Sequence, residues 1–153
     1  MLNIANRLAQ LGIVLPEQSA PIANYAPFTR SGRIVHVSGQ LSRGAGNEIK
    51  GIVGEAVTLD QAIAGARLCA INLLAQFRAA SGGDLDRVTR VLRLGGYVQA
   101  GATFDEISKV INGASDLMVQ VFDDRGRHAR SSVGVSRLPL GFAVEVDAVI
   151  EIA

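Results

Sequence analysis

The chain runs to 153 residues and carries 15 Lys and Arg against 14 Asp and Glu, a formal net charge of +1. That is the length of one domain, able to bury roughly 70% of its unfolded surface without a disulfide or metal staple. With 48% hydrophobic and 19% charged residues, it is neither a disordered tail nor a dedicated nucleic-acid binder, which would carry a strong basic excess.

Residues 2–11 set Ile4, Leu8 and Leu11 at helical spacing with Gly12 as a stop, so residues 1–15 read as an N-terminal helical extension. Pro16 to Pro27 holds three prolines and reads as an extended lead-in. Arg33 to Ser38 is short and β-branched and predicts a strand that ends at Gly39-Gln40. Residues 44–47 read as a turn, and a weaker strand is expected near Ile49 to Val53.

Thr58-Leu59-Asp60-Gln61 is a capping-box pattern. Behind it Ala62, Ala66, Cys69, Ala70, Leu73 and Phe77 share one helical stripe, which Ser81-Gly82-Gly83 should end. Arg87 to Val98 predicts a strand with a bulge at Gly95-Gly96. Thr103 to Glu106 repeats the capping-box pattern, and Phe104, Ile107, Ile111, Ala114, Met118 and Val121 form a second stripe. Gly113 lies inside it, where glycine costs about 1 kcal/mol against alanine, so either a close packing contact or a break is expected. Strands over Ala129–Arg137 and Phe142–Ile152 close the chain. The sum is a single α+β domain, residues 1–153, with two long helices on one face of a mostly antiparallel sheet.

The lone Cys69 excludes an internal disulfide and any zinc site built on several cysteines, and its place on the apolar stripe makes it a small buried hydrophobe. No apolar run reaches the roughly 18 residues of a membrane helix, and no basic region followed by an apolar run opens the chain, so the cytoplasm is the expected location. P-loop, dinucleotide-binding and nucleophile-elbow motifs are absent. His36 and His128 read as structural hydrogen-bonders, and Ser115-Asp116 as surface or a local cap.

Period-two alternation puts Phe142, Val144, Val146, Ala148, Ile150 and Ile152 on one face of the last strand and Glu145, Asp147 and Glu151 on the other. In the strand before it, Val133 and Val135 alternate with Arg130, Ser132 and Gly134. The simplest assembly puts the valines under the helices and the polar set on the uncovered sheet face. That face is then either solvated surface or a cleft closed by another subunit. An arginine there can hold a carboxylate through its planar fork, and a carboxylate nearby can orient a water.

Tyr25, followed thirteen residues later by Ser38-Gly39-Gln40, with Asn112, Ala129-Arg130-Ser131, Arg137-Leu138-Pro139 and Val144-Glu145-Val146, resembles the RidA/YjgF family of reactive intermediate deaminases, also labelled endoribonuclease L-PSP-like. The resemblance covers about residues 21–152. It implies a chorismate-mutase-like α+β fold and a homotrimer with clefts between subunits, and no metal or organic cofactor. It also implies that Arg130 binds the carboxylate of a 2-imino or 2-aminoacrylate-type acid and that Glu145 helps to place the attacking water. Tyr25, Ser38, Gly39, Asn112 and Ser132 would be substrate-binding positions. The implied partner is a small carboxylate-bearing substrate; charge and hydropathy, for their part, point to no membrane and argue against nucleic acid. Ser132 stands where many members carry cysteine, Gly134 where the best-known deaminases carry glutamate, and His128 where proline is common. The expected function is hydrolysis of enamine or imine intermediates to 2-oxo acid and ammonia. A non-enzymatic carboxylate-binding protein on the same fold, and a ribonuclease, are the alternatives.

Overall fold

A computed structural model describes residues 3–17, 23–44 and 46–153. Three helices, α1 (Ile4–Gln10), α2 (Leu59–Ala80) and α3 (Ile107–Phe122), accompany seven strands. These are β1 (Phe28–Ser31), β2 (Ile34–Leu41), β3 (Arg43–Gly44), β4 (Asn47–Glu48), β5 (Val88–Gln99), β6 (Ala129–Val135) and β7 (Val144–Ile152). The main sheet runs β1-β2-β7-β5-β6, and β3 and β4 form a separate hairpin. Every pair in the main sheet is antiparallel except β5 with β6. That one parallel pair needs a crossover, and α3 supplies it.

The alternation read in β7 is realised. Val144, Val146, Ala148, Ile150 and Ile152 are buried and meet a layer built by α2 and α3. All six residues of the first stripe are buried. The Thr58–Gln61 capping box forms in both directions, with Gln61 N donating to Thr58 Oγ1 (3.2 Å) and Thr58 N to Gln61 Oε1 (2.9 Å). Gly113 is a packing contact and not a break. A Cβ there would strike the backbone carbonyl of Ile63, so the two helices touch backbone to backbone at that point.

α1 is docked and not a loose extension. Ile4 and Leu8 are buried, Asp86 Oδ1 accepts from Ile4 N (3.2 Å), and Arg7 pairs with Asp123 at the end of α3 (2.8 Å). Gly12 stops it with φ +68°, a conformation other residues resist.

Five local expectations are corrected. β1 forms from a segment read as the end of the lead-in, because it pairs with β2 over four residues. Part of that lead-in, residues 18–22, lies outside the described residues. β2 does not stop at Gly39 but runs on to Leu41 through a register shift between Val37 and Gln40. Residues 49–53 make only isolated bridges. The irregularities in β5 fall between Val88 and Arg90 and between Val91 and Arg93, upstream of Gly95-Gly96. α3 begins at Ile107 with Glu106 as its N-cap residue and no side-chain cap, and Glu106 pairs with Lys109 (2.6 Å).

Candidate functional site

The largest correction concerns β6. Arg130, Ser132 and Gly134 face α3, not the open side of the sheet. A Cβ on Gly134 would meet Ile107 of α3 at 3.4 Å, while Val133 is 47% exposed. The reason lies in the covering helix. α3 presents Ser108, Asn112 and Ser115 at the i, i+4, i+7 positions of one stripe. The polar side of the edge strand therefore meets a polar helix flank, and its valine is left outside.

Arg130 reaches across this seam. Its Nη1 donates to Asn112 Oδ1 (2.8 Å) and to Ser115 Oγ (3.1 Å), and its Nη2 makes a long contact with the Ser108 carbonyl (3.4 Å). Both hydrogens of Nη1 are thereby used. Among the described residues Nε has no partner, so the Nε–Nη2 edge of the guanidinium is the edge left for a bidentate carboxylate. Ser132 lies on the same side of β6, and its hydroxyl is buried without a hydrogen bond among the described residues.

His128 extends the cluster. Its Nδ1 is 2.6 Å from the Gly126 carbonyl and its Nε2 is 2.8 Å from Ser115 Oγ. A carbonyl only accepts, so Nδ1 carries the proton and Nε2 accepts from the serine. Burial, and after it the Arg130 charge, lower the His128 pKa against the raising effect of the Gly126 bond, which keeps the ring neutral at pH 7. Neither Ser115 nor His128 stood out in the sequence as functional. The readable signal was the 108–112–115 polar stripe, which hydrophobic periodicity passes over.

Glu145 lies elsewhere. Its neighbours Val144 and Val146 are buried under the helices, so Glu145 and Asp147 share the opposite, uncovered face. Glu145 pairs in register with Leu41 of β2 and Tyr97 of β5. Gly39 sits against it, and a Cβ there would come within 2.8 Å of the carboxyl carbon. Burial and then the Asp147 charge raise the Glu145 pKa. Asp147 accepts from the Tyr97 hydroxyl (3.0 Å) and lies 3.7 Å from Arg93.

Ser38 precedes Gly39, and its hydroxyl is spent on the Ala26 carbonyl (2.7 Å), which ties down the segment carrying Tyr25. Tyr25 is 48% exposed. The seven positions thus fall into two groups. Arg130, Asn112 and Ser132 meet at the α3–β6 seam. Glu145 and Gly39, with Ser38 and Tyr25 leading into them, lie around the β2–β7 pair.

A separate cleft of about 440 Å³ opens beside α1, lined by Leu8, Ile13, Leu15, Arg78 and Leu85 among others, and none of these positions borders it. Among the described residues no group of His, Cys, Asp and Glu is placed to hold a metal ion, and no helix is long and apolar enough to cross a membrane.

This fold has counterparts. "Protein TCP17" of Trypanosoma cruzi is 47% identical over 151 residues, 97% of this chain and 94% of that protein. The crystal structure of Atu1372 from Agrobacterium tumefaciens, a protein described as of unknown function, superposes with a TM-score of 0.91 at 45% identity, covering 98% of this chain and 92% of that one. RidA from the Antarctic bacterium Psychrobacter sp. PAMC 21119 shares the fold with a TM-score of 0.59 at 24% identity, covering 87% of this chain and 92% of that one. The family described as "YjgF/chorismate_mutase-like, putative endoribonuclease" matches residues 5–151. That match takes in α2 and α3, the main sheet up to the last residue of β7 and both residue groups, and on it the chain belongs to the YjgF/chorismate-mutase-like family.

Proposed function

We propose that this protein is a hydrolytic deaminase of 2-imino and 2-aminoacrylate-type acids, releasing a 2-oxo acid and ammonia. The observation that carries this reading is the guanidinium of Arg130. It is held through Nη1 by Asn112 and Ser115, while among the described residues Nε has no partner and Nη2 makes only the long contact with the Ser108 carbonyl, which leaves the Nε–Nη2 edge to turn to a carboxylate. The residue resemblance to the deaminases supports the same ligand class.

The reaction is a water addition and needs no electron acceptor. Arg130 holds the substrate carboxylate. A water oxygen bonds to the carbon of the protonated imine as the C=N pair moves to nitrogen, and one water proton passes to the Glu145 carboxylate. Glu145 returns that proton to the carbinolamine nitrogen; the carbon–nitrogen bond then breaks as the O–H electron pair forms the ketone, and the second water proton leaves with the ammonia as ammonium. Orientation and charge stabilisation carry most of the acceleration asked of the protein. The raised pKa of Glu145 suits a group that takes up a proton and returns it.

Within one chain Arg130 and Glu145 cannot share a substrate, because they stand on opposite sides of the sheet. A homotrimer with clefts between subunits meets this requirement, since each cleft takes Arg130 from one copy and Glu145 from its neighbour. The exposed Val133 and the open sheet face are the surfaces such packing would cover.

The test couples an amino-acid oxidase, as a 2-imino acid generator, to the protein and follows 2-oxo acid release. The expected result is release faster than the spontaneous rate, lost in Arg130→Ala. Unchanged release beside tight binding of a 2-oxo acid would favour the second reading, a non-enzymatic carboxylate-binding protein. The observation on that side is that no carboxylate of the same chain reaches Arg130 among the described residues.

A further inference from the structure

A serine in the middle of a helix ordinarily returns its hydroxyl to the carbonyl one turn back. Ser115 does not. Among the described residues its Oγ bonds only to side chains, 2.8 Å from His128 Nε2 and 3.1 Å from Arg130 Nη1. His128 is in turn fixed through Nδ1 by the Gly126 carbonyl at 2.6 Å. Hydroxyl, base and orienting group thus stand in hydrogen-bonded sequence, the arrangement that activates a nucleophile, with a backbone carbonyl in the place often taken by a carboxylate. His128 and Gly126 belong to the short turn before β6, while Ser115 lies on α3 thirteen residues away from His128, so the serine–histidine bond is a contact between two elements.

The geometry points to Ser115 as a nucleophile, activated by His128 and set beside Arg130 to take an acyl group from an ester or thioester that also bears a free carboxylate. The proposal takes from the preceding reading only that Arg130 binds a carboxylate. The deamination itself does not enter it.

In the first half of the reaction the Ser115 Oγ bonds to the acyl carbon and its proton passes to His128 Nε2. The Nη1–H of Arg130 that had pointed at the serine oxygen is released to face the acyl oxygen, where negative charge collects. The bond to the alcohol or thiol then breaks, and the leaving group takes the proton from Nε2. In the second half a water oxygen bonds to the acyl carbon, its proton moves to Nε2, and the bond to Ser115 breaks as the serine regains that proton. Water is the only co-reactant.

Two features favour this chemistry over a purely structural bond. The Arg130 charge beside Ser115 stabilises the developing alkoxide. His128 is held neutral, the state in which Nε2 can take a proton. Both Ser115 and His128 are only half-buried, so a small reagent has access.

The test uses the intact protein with phenylmethylsulfonyl fluoride and, separately, a small alkyl fluorophosphonate, followed by intact mass and peptide mapping. The expected result is a single adduct on Ser115, absent in Ser115→Ala and slowed about a hundredfold or more in His128→Gln. Ser115→Ala puts the best helix former on a helix and should fold; His128→Asn is the second base variant should His128→Gln lose its native circular dichroism. A mono-p-nitrophenyl ester of succinic acid should be cleaved faster than p-nitrophenyl acetate, and Arg130→Ala should remove that preference. No adduct from either reagent on natively folded protein would overturn the proposal. So would an adduct on a different residue, or equal labelling of the folded His128 variants. Neither reagent nor either ester contains an imine, so this result and the deaminase assay fail or succeed separately.

Discussion

Arg130 and Glu145 project from opposite faces of one sheet, Arg130 against α3 and Glu145 against Gly39 of β2. A substrate that needs both must be held between two copies of the chain. Arg130→Ala and Glu145→Gln should each be inactive alone. When the two variants are unfolded and reassembled together at equal amounts, roughly one quarter of the clefts would combine an intact arginine with an intact glutamate. Deaminase activity should reappear to about that extent. A mixture as inactive as its components would place both groups in one chain's site or remove one from the reaction.

The raised Glu145 pKa has a consequence for stability. Burial and the Asp147 charge lift it above the ordinary 4.5. A carboxyl raised on folding favours the folded state fully below its ordinary value, and that contribution is lost as pH rises through the raised one. Glu145→Gln is neutral at every pH. The variant should therefore melt higher than the native protein at pH 7, and the gap should close near pH 4. Thermal melts across that range measure it, and a gap that widens on acidification would contradict the assignment.

Gly113 decides between two opposed effects. Alanine there gains about 1 kcal/mol of helix propensity. Its methyl would, however, press on the Ile63 backbone carbonyl, and backbone cannot swing aside as a side chain does. Overpacking of this kind costs typically 1–3 kcal/mol. Gly113→Ala should be destabilised by up to about 2 kcal/mol net in a urea titration. A gain would mean that α2 and α3 are not seated so closely.

Much of this was legible from residue spacing, and the part that was not has a definite cause. The capping box at Thr58, the two helical stripes and the alternation of β7 are local patterns, and each reports its own environment. The facing of β6 is not local. A strand of alternating valine and polar residues places its valines inward only if what covers it is apolar, and here the cover is the Ser108–Asn112–Ser115 flank of α3. The side of the sheet to which Arg130 belongs depended on that flank, as did the visibility of Ser115 and His128. The capping box expected at Thr103 does not form, and α3 takes Glu106 as its N-cap residue instead.

Cys69 is expected to be inert. It is fully buried on α2, its Sγ lies 3.5 Å from the Val144 carbonyl, and burial pushes its thiol well above the usual range. A thiol-reactive dye should leave the native protein unlabelled at neutral pH and label it on unfolding. Cys69→Ala should keep turnover and lose on the order of 1 kcal/mol of stability. Loss of turnover in a folded Cys69→Ala protein would give the thiol a chemical part.

Arg130 is the residue on which the reading of function stands, and two substitutions separate its charge from its shape. Arg130→Lys keeps the positive charge. Lysine, however, offers one compact ammonium where arginine offers a planar fork, and it cannot bond Asn112 and Ser115 through one nitrogen while presenting a second edge to a ligand. Its affinity for a 2-oxo acid should fall by at least about tenfold, the equivalent of one charge-assisted hydrogen bond. Arg130→Ala should show no measurable binding. Both variants should keep the native circular dichroism and assembly, because the side chain spans an exposed seam and none of the buried apolar cluster rests on it. Calorimetric titration with a 2-oxo acid, beside circular dichroism of each variant, makes the comparison. Native affinity in Arg130→Lys would mean that charge alone holds the ligand, and native affinity in Arg130→Ala would place the carboxylate somewhere other than the α3–β6 seam.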